Sequence, residues 1–153
     1  MKTKSTLLSS VLFAVATLSL SVPVVSAGPA KDADQTELGA HMERLNSSWR
    51  KLRRQVTDPT QNGPSLALIA KIREAGKGTE QMTPAKAAEL PEAKRAQFQA
   101  DYTAGMKKFY EQIDDLEAAL KTGDNEKAGK IVAAINDFQK QSHKEFRKET
   151  DKK

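Results

Sequence analysis

This chain is predicted to be all-α, an up-down-up-down antiparallel four-helix bundle, on three observations. Apolar residues recur at alternating spacings of four and three within separate stretches of the chain. No stretch shows the strict apolar/polar alternation of a half-buried strand. The connections between stretches are short, and short connections make successive helices neighbours that run antiparallel.

Residues 1–27 stand apart from this pattern. Lys2 and Lys4 precede the uncharged apolar run 7–22, and Val25 and Ala27 form a small-residue cleavage site. A cleaved signal peptide is expected rather than a membrane anchor, so the mature protein is exported and keeps no membrane attachment. A short linker at 28–33 follows, then the bundle at 34–149 and a charged tail at 150–153. The formal net charge of +5 includes the two signal lysines, and the remaining charges mix in sign, which argues against nucleic acid as a partner. The chain has no cysteine, which excludes disulfides, thiolate metal sites and covalent c-type haem attachment.

The first helix is expected near 35–57. Asp34 and Glu37 have the spacing of a capping box, and Leu38, Met42, Leu45, Trp49, Leu52 and Val56 form one seam. The loop 58–64 carries Asp58, Pro59, Asn62, Gly63 and Pro64. A second helix is expected near 64–82, with Leu66, Ile69 and Ile72 inside, weakened by Gly76 and Gly78. Pro91 opens the third, near 91–122, whose seam runs Phe98, Tyr102, Gly105/Met106, Phe109, Ile113, Leu116 and Leu120. Thr122 and Gly123 close it, and Asp124 caps a fourth helix near 124–149. That helix buries Ala128, Ile131, Ile135, Phe138, Ser142 and Phe146, with His143 beside the seam.

In this topology the start of the first helix and the end of the fourth share one end of the bundle. Met42 and His143 then lie at similar depth, both about 9–12 Å from that end at 1.5 Å per residue. A thioether and an imidazole facing one space are an axial ligand pair for haem iron. Each also has a plainer reading. Met42 serves as core filler on a helical seam, and His143 as a cation at a helix C-terminus. His41 adjoins Met42, but its ring turns about 100° away, so a surface position is expected for it.

The segment 38-LGAHMERLNSSW-49 resembles the first helix of the cytochrome b562 family. The segments 112-QIDDLEAAL-120 and 143-HKEFR-147 resemble its third and fourth helices, and the Thr83-Pro84 break and Gly105 also match. The likeness covers nearly all of residues 34–148. It implies a periplasmic electron carrier with one non-covalent haem b, axial ligands Met42 and His143, and a redox partner protein. A monomer is expected. Leu45, Tyr102, Met106 and Phe138 would line the haem pocket, and Arg147 would either meet a haem propionate or stabilise the helix C-terminus. Gln139 stands where the family has Arg, Tyr102 and Met106 where it has pocket aromatics, and Trp49 where it has Leu.

Enzymatic chemistry is not expected. No nucleophile triad or H-E-x-x-H pattern is present, and the adjacent acids Asp114 and Asp115 cannot face one site. The alternative is a haem-free helical binding module of the same fold.

Overall fold

The computed structural model describes residues 36–148. The signal segment, the linker, Asp34 and the 150–153 tail lie outside them. Four helices and no strand are found among the described residues: α1 Glu37–Gln55, α2 Asn62–Gly76, α3 Glu92–Lys121 and α4 Asn125–Phe146. None of them is long and apolar enough to cross a membrane.

Helix boundaries follow local chemistry. The cap of α1 is Thr36 rather than the expected Asp34–Glu37 box: its Oγ1 accepts from the Gly39 N–H at 3.0 Å. The helix ends at Gln55, slightly before residue 57. Asp58 then caps a 3-10 turn, Pro59–Gln61, accepting from the Thr60 N–H at 2.9 Å, and this turn leads into α2. At the other boundary, Gly123 has φ 75° and Asp124 accepts from the Lys127 N–H at 2.9 Å, so α3 passes into α4 as expected. The fourth helix stops at Phe146 rather than 149, where Arg147 turns extended.

The largest departure is α2, which ends at Gly76 and not near 82. Its final carbonyls are taken by side chains of other elements, which replace the hydrogen bonds a further helical turn would supply. His41 Nδ1–H donates to Ala75 O at 2.6 Å, Tyr110 Oη–H to Gly76 O at 2.5 Å, and Thr79 Oγ1–H to the same carbonyl at 2.6 Å. Tyr110 approaches so closely that a Cβ on Gly76 would collide with its hydroxyl. Gly78 follows with φ 79°, a conformation open to glycine. Two 3-10 turns, Thr79–Gln81 and Ala85–Glu89, then carry the chain to α3. Tyr102 Oη–H to Thr79 O and Thr103 Oγ1–H to Glu80 O, at 3.0 and 2.8 Å, fasten this connection.

The core lies where all four helices are present. Leu52 and Ile72 meet Ile113, Leu116, Ala128 and Ile135 in one buried cluster, each at most 1% exposed. Val132 and Ala119 join it, two positions outside the expected seams, while Ile131 is only partly buried. The contacts set helix ends against one another. The start of α1 meets the end of α2 at His41 and Ala75, and Gln55 Nε2–H donates to Ser65 Oγ at 3.1 Å near the start of α2. Asn125, at the start of α4, donates to Val56 O at 2.8 Å and shares an amide pair with Asn62. At the opposite end, Phe98 and Phe146 bring α3 and α4 together with ring centroids 5.3 Å apart.

Candidate functional site

Beyond the end of α2 the helices enclose a cavity of about 470 Å³. α1 contributes Leu38, Met42 and Leu45 from its seam, and Asn46 and Arg50 from the next face. α3 contributes Tyr102, Gly105, Met106 and Phe109, and α4 contributes Phe138, Gln139, Ser142, His143, Phe146 and Arg147. Pro84 and Ala85 of the long connection close one side. No residue of α2 lines this space.

Every site residue expected from the sequence is here: Met42, His143, Leu45, Tyr102, Met106 and Arg147 all line the one cavity. His41 does not. Its ring is partly buried against the end of α2 and bonded to Ala75 O, so it is neither a free surface group nor turned toward the cavity. Asn46 and Arg50 were not among the expected residues. The signal for them was present, because they stand four and eight positions after Met42, on the same side of α1.

The walls are mostly apolar and the mouth is charged. Tyr102 is buried, and its hydroxyl is committed to Thr79 O, so it offers the cavity a ring edge. Burial, with Tyr110 and Glu80 nearby, holds its pKa well above that of a free phenol. Its ring packs edge-on against Phe146 with centroids 5.5 Å apart. Trp49, 1% exposed, lies one turn beyond Leu45, and its Nε1–H donates to Asn136 Oδ1 at 3.1 Å. The exposed lining residues mark the mouth: Glu43 and Arg50 on α1, His143 on α4, and Arg147 and Lys148 beyond it. His143 is exposed, yet enough protein surrounds the ring for desolvation to lower its pKa, with the Arg147 charge acting the same way. The imidazole is therefore held toward its neutral form, the form that donates a nitrogen lone pair to a metal.

The sulfur and imidazole donors on the wall are Met42, Met106 and His143. Among the described residues no group of three or more His, Cys, Asp or Glu could hold a metal ion. A sequence model of the cytochrome b562 family matches residues 37–147. The chain belongs to the cytochrome b562 family. No curated protein and no solved structure matches it.

Cytochrome b562 membership implies haem, and the cavity fits that group in three respects. Its volume lies within the range of small-molecule and cofactor pockets, its walls are apolar and aromatic, and soft and imidazole donors share them. At the mouth, Arg50 and Arg147 supply the cations that carboxylates of a bound group need. Gly105 is not required for room: an added Cβ would stand 3.8 Å from both Phe138 and Phe146, an ordinary contact.

Proposed function

We propose that this cytochrome b562 family member is a periplasmic electron carrier. It binds one non-covalent haem b through Met42 and His143, within an up-down-up-down bundle, and performs no substrate chemistry. The observation that carries the reading is that Met42 and His143, about a hundred residues apart in sequence, line one apolar cavity.

Haem, when bound, would supply a one-electron couple. This chain's residues do the rest. The His143 imidazole, its pKa lowered by desolvation and the Arg147 charge, would be the nitrogen ligand, and the Met42 thioether would be the sulfur ligand that favours the reduced state. Leu45, Tyr102, Met106 and Phe138 exclude water, which limits the reorganisation accompanying electron transfer and tunes the potential. Arg147 would meet a propionate at the mouth. With Met42 and His143 both engaged, the chain would leave the group no open position for peroxide or dioxygen.

The test is to add haemin to the mature chain and record the reduced spectrum. A sharp Soret band with split α/β bands is expected. His143→Ala should lose most of the haemin affinity, and Met42→Ala should bind but turn high-spin with a lower potential. A chain that leaves haemin free in solution would support the haem-free module instead.

A further inference from the structure

Charge is unevenly distributed over the helices. Each Lys or Arg of α2, α3 and α4 has an acidic residue within four positions, and several form ion pairs, such as Lys121–Glu117, Lys130–Glu126 and Lys140–Asp137. On α1 the pattern breaks. Arg44, Arg50, Lys51, Arg53 and Arg54 lie between Glu43 and Asp58, and Arg50, Lys51 and Arg53 have no acid within four positions. All five side chains are exposed, and none forms an ion pair among the described residues. Arg53 and Arg54 occupy the last turn, where cations complement the helix dipole. Arg50 and Lys51 lie earlier, and the dipole does not account for them. Arg50 also lines the cavity mouth, so the basic face and the opening are continuous.

We infer that this basic face of α1 is a docking surface for a protein with an acidic patch, which it seats beside the mouth of the cavity. That the docked protein exchanges electrons rests on the function proposed above. The length of the face, about 15 Å from Arg44 to Arg54 at 1.5 Å per residue, suits a small, transient, electrostatically steered contact. Two other polyanions fit less well. A single-stranded nucleic acid needs exposed rings to stack on, and Trp49, the aromatic residue of α1, is buried and hydrogen-bonded. A bilayer needs apolar side chains to insert, and Leu45, Leu52 and Val56 all point into the core.

The experiment titrates isotope-labelled mature chain, with and without haemin, with a short poly-L-glutamate peptide at low salt, following backbone amide shifts. Shifts should concentrate on residues 44–54 and the cavity mouth, and fade as salt shortens the range of the field. A variant carrying Arg50→Gln, Lys51→Gln, Arg53→Gln and Arg54→Gln should bind at least about tenfold more weakly. A control carrying Lys71→Gln, Lys77→Gln, Lys94→Gln and Lys107→Gln removes the same charge elsewhere, and should bind within about twofold of the parent. Equal weakening by both variants would overturn the proposal, since net charge alone would then explain binding. So would shifts spread over the other helices, or tighter binding at this face of phosphatidylglycerol vesicles or duplex DNA at the same salt. The titration needs no haem. Failure to take up haemin would therefore remove the electron-carrier reading without touching the docking surface, and a silent α1 face in haem-loaded protein would do the reverse.

Discussion

One half of this molecule is closed and the other is open, although α1, α3 and α4 run through both. In the closed half Leu52, Ile72, Ile113 and Leu116 are wholly inaccessible to solvent, and alanines such as Ala119 and Ala128 let the helices approach. In the open half Leu38, Met42, Met106, Phe109, Phe138 and Phe146 occupy the same seams, yet each keeps part of its surface exposed. Hydrophobicity does not distinguish the halves. The length of α2 does: it has 15 residues against 30 in α3, so it covers only part of its neighbour. Past Gly76 the fourth wall is a connection of 3-10 turns, held by hydroxyls from α3. The cavity exists because one helix stops early, and what stops it is the set of side chains that take its last carbonyls.

Four measurements would break or sharpen this contrast. The largest effect should come from filling the open half. If haemin binds the folded chain alone, a thousandfold excess over its Kd adds about 4 kcal/mol, visible as a higher Tm. His143→Ala should abolish most of that gain, and a Tm indifferent to haemin would mean that the open half has no cofactor. Next comes side-chain truncation without haem. Leu116→Ala in the closed half should cost about 3–4 kcal/mol in urea unfolding, whereas Leu38→Ala at the cavity should cost no more than about 1 kcal/mol. Similar losses at the two sites would show that the cavity collapses in solution.

The boundary between the halves can be tested at Gly76. Gly76→Ala meets the Tyr110 hydroxyl and should destabilise by about 1–3 kcal/mol despite the better helix propensity of alanine. Pairing it with Tyr110→Phe should recover part of the loss, and a neutral Gly76→Ala would remove Tyr110 from the account. The smallest effect is expected at the N-terminus of α1. Thr36→Ala deletes the cap bonded to Gly39 and should cost about 1 kcal/mol, with faster amide exchange confined to the first turn of α1.

Much of this arrangement was legible in the residues. The four-and-three spacing identified four helices, and Gly123 with Asp124 marked the passage from α3 to α4, because a left-handed glycine followed by a capping carboxylate is a local signal. Met42, His143, Leu45, Tyr102, Met106 and Arg147 were selected from spacing and family likeness, and they line one cavity. Three features were not legible. The cap at Thr36 stands where the Asp34–Glu37 box is expected, and which residue caps depends on backbone angles. The position of His41 depends on where the Ala75 carbonyl points. The end of α2 lies about one and a half turns before the expected one: Gly76 and Gly78 mark the weak point in the sequence, but that the helix stops there depends on hydroxyls of Tyr110 and Thr79.

The sequence by itself therefore determined which residues face inward and which donors are available, because helical periodicity is a property of neighbours along the chain. Tertiary structure alone decided that one half of the seam closes into a core while the other encloses a cavity. That outcome turns on contacts between distant residues: His41 with Ala75, and Tyr110 and Thr79 with Gly76. Spacing along one helix says which side faces inward, but not whether another helix is there to meet it.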